Sequence, residues 1–371
     1  MKLASVKRAM AIALAATTCG AALTGCGSDD NRVSAPAQGA SSGGSDCGGK
    51  NKLTAEGSTA QQIAVAIFNQ VWDQSCPGKT VAYNATGSGA GRTQFVAGHV
   101  DFAGSDSPLI AAQIDPAAQR CNGNPAWDLP LVFSAIALVY NLTDVPKLVV
   151  DADALAKIFS GGIRMWNDPI LQALNPGVAL PNSKITPIYR KDSSGTTDNF
   201  QRYLAAAAPQ SWTRGIGTEF VGGIGEGAQR STGVIQGVKA TPGGIGYVEK
   251  GFADRAGVPF AQLATGNGVV ALTEESAGNA TNSVSFAGHG NDLVLELRSM
   301  FGSADPRAYP LVMATYEIVC SKGYGSDTAA AVKAFLNTAV NRGQTGLPSA
   351  GYVPLPDKVK ERLVTAINAL Q

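Results

Sequence analysis

Patterns typical of strands alternate with patterns typical of helices along most of the chain beyond about residue 50. The strand-like NKLTAEGS comes before the helical TAQQIAVAIFNQVWDQ, and KITPIYRKDSSG comes before TTDNFQRYLAAA. Strands that alternate with helices predict α/β lobes in which most strands of a sheet are parallel. The sequence contains no internal repeat that would suggest a solenoid or a propeller instead.

Alternation of polar and apolar residues is missing from two long apolar runs, LPLVFSAIALVYNL and YPLVMATYEIVC. They are either hinge strands that cross between two lobes or central strands that are buried within one lobe. The chain is long enough for two lobes, because about 320 residues follow the polar N-terminal region and would supply two substantial cores.

The N-terminus has the pattern of an export signal. A basic start precedes an apolar, alanine-rich stretch at 9–23, which is too short for a membrane span and predicts a signal peptide over 1–25. The following Leu-x-Gly-Cys resembles a bacterial lipobox, in which Cys26 becomes the new N-terminus and carries lipid; an ordinary signal cleaved elsewhere is the alternative. Residues 26–49, rich in Gly and Ser, predict a flexible tether.

The charge of the chain limits its partners. The whole chain carries 29 basic and 28 acidic residues, and loss of residues 1–25 would leave 26 basic and 28 acidic residues, a net charge of −2. A protein without excess positive charge is not expected to bind nucleic acid. Any anion that it binds must be held by local geometry.

Cysteines are expected to form disulfides. Apart from Cys26 and one cysteine in the signal peptide, the chain has four cysteines. An even number in an exported chain predicts two disulfides, with three possible pairings. We favour Cys47–Cys76 with Cys121–Cys320, because the first bond would join the start of the first strand to the end of its helix. The spacings do not fit a zinc site.

Four predicted strands end in segments rich in Gly, Ser, Thr or Asp: EGSTAQQ (56–62), TGSGAGRTQ (86–94), AGSDSPL (103–109) and RKDSSGTTDNF (190–200). Three of them continue into helical patterns, and the N-terminus of a helix offers unpaired N–H groups and partial positive charge to an anion. Small residues allow close approach, and hydroxyls add donors. Each segment alone is typical of a helix cap or a turn. The four together predict an anion site in a cleft.

Enzyme motifs are not supported by their context. Residues 39–43 satisfy G-x-S-x-G without the strand and helix of a nucleophile elbow. Residues 44–50 satisfy G-x-x-x-x-G-K, but Asn51 replaces the Ser or Thr that would hold magnesium. No nucleophile–base pair or metal cluster is evident, and both histidines, His99 and His289, are expected in loops. We therefore expect a binding protein that has no cofactor.

Several segments, in order and spacing, resemble the phosphate-binding lipoproteins that serve as substrate-binding subunits of the Pst-type phosphate ABC importer, most of all the actinobacterial, mycobacterial type. They include EGSTAQQIAVAIF, YRKDSSGTTDNFQRYL, TPGGIGYVEKGFA and ATYEIVCSK. The resemblance extends from about Leu53 to the C-terminus. It implies a two-lobed periplasmic-binding-protein fold of type II, with mixed sheets flanked by helices and two hinge strands. Lobe I would comprise 50–135 and 310–371, and lobe II 136–309.

Carried over by motif, the resemblance implies eight phosphate ligands: Thr59, Ala60, Ser88, Asp106, Arg190, Ser194, Gly195 and Thr196. Asp192 would orient Arg190. Some members have an aromatic residue at the position of Ala60, but only its N–H is needed. An ionised Asp106 would accept a hydrogen bond from phosphate and would face sulfate, which has no proton to donate, as an unpaired like charge.

The resemblance also implies partners and a location. Inorganic phosphate would be the ligand, and the permease and ATPase subunits of an ABC importer would be the protein partners. The lipid on Cys26 would hold a monomer at the extracytoplasmic face of the cell membrane. The alternatives are a binding protein for sulfate or molybdate, an exported phosphatase or other hydrolase, and an additional role as adhesin or surface antigen.

Overall fold

The computed structural model describes residues 47–303 and 305–371. The predicted signal peptide, the predicted lipidation site Cys26 and the predicted tether as far as residue 46 lie outside the described residues. Within the described ranges, no helix combines the length and the apolar character that crossing a membrane requires.

The described chain contains twelve strands and twelve α-helices. The strands are β1 (Lys52–Gly57), β2 (Thr80–Ala85), β3 (Phe102–Ser105), β4 (Ala126–Tyr140), β5 (Val149–Asp151), β6 (Thr186–Arg190), β7 (Glu226–Ala228), β8 (Gly244–Glu249), β9 (Gln262–Thr265), β10 (Gly268–Val270), β11 (Val312–Cys320) and β12 (Tyr352–Val353). The helices are α1 (Gln62–Ser75), α2 (Ser88–Val96), α3 (Ala111–Arg120), α4 (Ala152–Ser160), α5 (Pro169–Leu174), α6 (Gly195–Ala207), α7 (Arg230–Ala240), α8 (Lys250–Ala256), α9 (Glu274–Thr281), α10 (Arg298–Phe301), α11 (Ser326–Asn341) and α12 (Asp357–Asn368).

Nine strands form one mixed sheet in the order β2-β1-β3-β11-β4-β8-β6-β7, with β12 paired to β4. The strands β1, β2 and β3 are parallel, and so are β6, β7 and β8. The prediction of mostly parallel sheets is wrong for the centre, where β4 and β11 run antiparallel to their neighbours. β11 reaches this position from a distant part of the chain, without the helical crossover that makes successive strands of a βαβ unit parallel.

The long strand β4 joins the two ends of this sheet. Its segment Ala126–Ala135 pairs with β11, and its segment Ile136–Tyr140 pairs with β8. We call β1, β2, β3, β11, β12 and Ala126–Ala135 the first half-sheet, and β6, β7, β8 and Ile136–Tyr140 the second half-sheet. The change of partner coincides with the predicted boundary after residue 135; the full division into lobes stays a prediction. Burial of β4 from Asp128 onward accounts for its continuous apolar run.

Aromatic clusters fill the core on each side. On α1, Phe68 and Trp72 are four residues apart and therefore lie on one face of the helix. Both pack edge-on against Phe335 of α11, with ring centroids 6.3 and 5.3 Å away. Beside the second half-sheet, Phe200 of α6 stacks on Tyr247 of β8 at 4.4 Å. These contacts pack α1 and α6 against the core, and two of the Ser- and Thr-rich segments lie at the starts of these helices.

Two disulfides join Cys47 to Cys76 and Cys121 to Cys320, with Cα–Cα distances of 5.4 and 5.3 Å. This is the pairing that the sequence favoured. The first bond holds the entry of β1 against the end of α1, as expected. The second connects the end of α3 to the end of β11 across a sequence separation of 199 residues.

Candidate anion-binding site

The four segments rich in Gly, Ser, Thr or Asp meet at the boundary between the two half-sheets. Three of them follow the parallel strands β1, β2 and β3, whose carboxyl ends share one edge. The segment after β6 reaches them from the second half-sheet. There Gly89 N–H donates to the carbonyl of Ser193 at 3.1 Å, and Asn199 Nδ2 donates to the carbonyl of Asp106 at 2.7 Å. The structure therefore brings the predicted segments together.

Asp106 lies at the centre of this junction and is 2% exposed. Its Oδ1 accepts hydrogen bonds from Ser58 Oγ at 2.6 Å and Thr315 Oγ1 at 2.7 Å. Its Oδ2 accepts one from Ser88 Oγ at 3.1 Å. Because a carboxylate oxygen has two lone pairs, Oδ2 keeps the capacity to accept a second hydrogen bond.

The surroundings of Asp106 make it titrate close to neutrality. Burial raises its pKa to about 6, and the nearby charge of Glu249 acts in the same direction. The hydroxyl donors and the charge of Arg190 oppose this rise. At neutral pH the site therefore presents a mostly ionised carboxylate to its ligand.

Arg190 supplies the positive charge, from the end of β6. Its side chain is 2% exposed and forms a two-pronged ion pair with Asp192, in which Nε donates to Oδ1 at 2.8 Å and Nη2 donates to Oδ2. Burial acts to lower the pKa of Arg190, but the hydrogen bond and charge of Asp192 outweigh it, and the net shift is upward. Asp192 thus fixes the orientation of Arg190, and Nη1 remains directed to Ser231 Oγ at 3.4 Å.

The start of α6 contributes backbone donors. Ser194 is the N-cap, and its Oγ accepts from Thr197 N at 3.3 Å. The N–H groups of Gly195 and Thr196, at the first two positions of the helix, have no intrahelical acceptor. Thr196 Oγ1 donates to the buried Glu249. Position 195 requires glycine, because an added Cβ would lie 2.5 Å from the Cβ of Asp106.

The start of α1 is already partly hydrogen-bonded. Ala60 N–H, a predicted ligand, donates to Ser58 Oγ at 3.0 Å, so an anion would have to share or replace this bond. Thr59 Oγ1 lies 2.7 Å from Ser231 Oγ, which belongs to the other side of the junction. Ser88 Oγ accepts from Asp106 N at 3.0 Å while it donates to the carboxylate. These contacts link predicted ligands on both sides of the junction, and their binding of an anion stays a prediction.

Known proteins share both the sequence and the fold of this chain. Residues 33–341 match the PBP superfamily domain. The phosphate-binding protein PstS 3 of Mycobacterium leprae is 48% identical over 363 residues, which cover 97% of this chain and 98% of that protein. The protein of the same name from Mycobacterium tuberculosis strain H37Rv is 48% identical over 351 residues, or 94% of this chain and 95% of that protein.

The chain belongs to the PstS family of phosphate-binding proteins. Solved structures support the PstS fold at lower identity. A high-affinity periplasmic phosphate-binding protein, PfluDING with bound phosphate, has a TM-score of 0.68 at 20% identity, covering 85% of this chain and 93% of that chain. A phosphate ABC transporter substrate-binding protein from Clostridium perfringens has a TM-score of 0.60 at 16% identity, covering 82% and 100%. The predicted fold class is confirmed.

Sequence reasoning missed four residues at the site of this PstS protein. Ser58 and Thr315 hold Asp106, Glu249 accepts from Thr196, and Ser231 contacts Thr59. Ser231 had a visible signal, because GAQRSTG runs from the end of a strand into the start of a helix like the other segments. Thr315 and Glu249 are polar residues in buried strands. Their burial indicates that each has a hydrogen-bond partner, but it does not identify the partner.

The two histidines are away from this junction. His99 and His289 are exposed loop residues, as predicted. Among the described residues, no group of three or more His, Cys, Asp or Glu side chains is placed to hold a metal ion. The predicted ligands offer hydroxyls, backbone N–H groups and the guanidinium of Arg190, a set of donors that suits an oxyanion.

Proposed function

We propose that this PstS family member binds inorganic phosphate at the junction of its half-sheets and delivers it to an ABC permease for import. Its relatives of high identity are named as phosphate-binding proteins, so it is a binding protein and not an enzyme. The observation that carries the proposal is the buried carboxylate of Asp106, which lies among hydrogen-bond donors suited to an anion, including Arg190.

The ligand would be held by Arg190, by the hydroxyls of Thr59 and Ser88, and by the donors of 194–196 at the start of α6. Hydrogen bonds to a charged acceptor are each worth about 1.5–3 kcal/mol, so several such donors support tight binding without excess positive charge elsewhere. Asp192 would act through Arg190 by fixing its guanidinium.

Asp106 would provide discrimination between phosphate and sulfate. Phosphate near neutral pH has a proton to donate to Oδ2, whereas sulfate has none and would face a buried like charge. Such an unpaired contact costs several kcal/mol, on the order of a thousandfold in affinity. The selectivity would thus come from a repulsive contact with the wrong anion as well as from attractive contacts with the right one.

Closure and location complete the proposal. Residues 50–135 with 310–371 would form lobe I and 136–309 lobe II, and closure of the lobes would bury the ligand and present a shape that the permease recognises. Lipid on Cys26 and the tether would keep a monomer close to the permease and ATPase subunits, outside the cytoplasm. Mass spectrometry of the N-terminal peptide of the mature protein tests the lipid directly.

The deciding experiment is calorimetric titration of the delipidated protein, stripped of bound anion, with phosphate and separately with sulfate. Tight phosphate binding without measurable sulfate binding is the expected result. A folded, stripped protein that binds neither anion would refute the assignment of the site. Equal affinity for both anions would refute the role given to Asp106.

A further inference from the structure

Ser231 occupies a fully buried position between the two half-sheets. It is the second residue of α7, beside the second half-sheet, and its side chain has no exposed surface. Its Oγ lies 2.7 Å from Oγ1 of Thr59, which follows β1 of the first half-sheet, and 3.4 Å from Nη1 of Arg190. It therefore touches two groups assigned to the anion, one on each side.

The hydrogen-bond capacities of these three groups allow a relay from Arg190 to the anion. A guanidinium only donates, so Ser231 Oγ accepts from Arg190. Between Ser231 Oγ and Thr59 Oγ1 either hydroxyl can be the donor. When Ser231 donates to Thr59, the hydroxyl proton of Thr59 is left to be donated to an anion in the site. Successive hydrogen bonds of this kind polarise and strengthen one another.

Helix capping does not account for Ser231. The N-cap of α7 is Gln229, and α7 has no side-chain hydrogen bond at its cap. A serine near the start of a helix ordinarily serves that purpose. Here the hydroxyl is directed across the junction instead.

We propose that Ser231 is a positioning residue for phosphate, which links Arg190 to Thr59 and directs the Thr59 hydroxyl proton toward the anion. The inference rests on the proposed function and extends it. It gives Ser231, which lies outside the four predicted segments, a role in the phosphate affinity of the closed protein. Since the contact with Thr59 joins the two half-sheets, its loss should speed phosphate release more than it slows binding.

The test compares Ser231→Ala with the wild type and with a matched control, Thr232→Ala, whose side chain is the exposed neighbour on the same helix. The phosphate affinity of Ser231→Ala is expected to fall about tenfold, which is the size expected for the loss of one hydrogen bond near a charge. Stopped-flow measurements should show that most of this loss comes from faster dissociation. Thr232→Ala should bind like the wild type. Ser231→Cys, which keeps the volume but hydrogen-bonds weakly, should behave like Ser231→Ala.

A double-mutant cycle with Thr59→Val separates positioning from direct contact. If Ser231 acts through Thr59, Ser231→Ala changes affinity less than about twofold once the Thr59 hydroxyl is gone. Full additivity of the two effects would overturn the proposal, as would wild-type affinity in both Ser231 variants. A wild-type protein that does not bind phosphate would instead refute the proposed function. Melting temperatures of the phosphate-free variants, expected to match the wild type, exclude a general loss of structure.

Discussion

The pKa of Asp106 makes a quantitative prediction for sulfate. Sulfate stays a dianion throughout the range of the experiment, so a change in its affinity with pH reports on the protein. We expect sulfate to be excluded while Asp106 is ionised and accepted when Asp106 is protonated, because the neutral carboxyl can donate a hydrogen bond to the anion.

The magnitude follows from the pKa of about 6 that burial produces. With that pKa, Asp106 is protonated in about 3% of molecules at pH 7.5 and in about 90% at pH 5. If only the form with protonated Asp106 binds sulfate, the apparent sulfate affinity is proportional to the fraction of that form. The affinity should therefore rise about 30-fold between pH 7.5 and pH 5, which corresponds to about 2 kcal/mol.

The assay is calorimetric titration of stripped protein with sulfate at the two pH values, at constant ionic strength and without phosphate. The control is Asp106→Asn, which has a permanent donor and should bind sulfate with the same affinity at both. Sulfate binding by the wild type that stays constant or weakens at low pH would refute the reasoning. An Asp106→Asn variant that keeps the full pH dependence would assign the titration to another group.

Three further predictions concern affinity and stability. Gly195→Ala should weaken phosphate binding about 10–100-fold in calorimetry, because the added Cβ would lie 2.5 Å from the Cβ of Asp106 across the junction. Undiminished affinity would show that the junction opens to admit the methyl group. Replacing Cys121 and Cys320 by serine should lower the free energy of unfolding by up to about 5 kcal/mol, more than loss of the other disulfide, because the closed loop is longer; chemical denaturation measures both, and the reverse order would contradict the loop argument. Burial raises the pKa of Glu317 to about 8, so the folded state holds this proton longer than the unfolded one and its contribution to stability is lost as pH rises through about 8. Glu317→Gln should therefore lose less unfolding free energy than the wild type between about pH 6 and 9, and equal losses would refute this.

Local sequence was sufficient where one segment carries both the backbone pattern and the chemistry. In 190–200, the strand that ends at Arg190, the N-cap at Ser194 and the close approach at Gly195 follow one another without a gap. Strand ends and helix starts depend on near neighbours, so their pattern is readable. The same holds for the first strand and helix, whose proximity suggested the bond between Cys47 and Cys76.

Contacts between distant segments were not readable in the same way. Thr315 holds Asp106 from 209 residues away, and Ser231 meets Thr59 from 172 residues away. Sequence alone shows only that a polar residue in a buried strand has some partner. The antiparallel placement of β4 and β11 belongs to the same class, because strand direction at the centre of the sheet depends on how remote parts of the chain return.

The sequence by itself determined the alternation of strands and helices, the segments that meet at the proposed anion site, and, through its resemblance to relatives, the family. Tertiary structure alone decided that Asp106 is buried among three hydroxyls and titrates near pH 6, since a pKa depends on solvent exclusion and on charges contributed by other segments. It also decided that Ser231 lies between Arg190 and Thr59. The periodicity of the sequence indicates which residues are buried and which polar groups require a partner, whereas tertiary packing decides which neighbour becomes that partner.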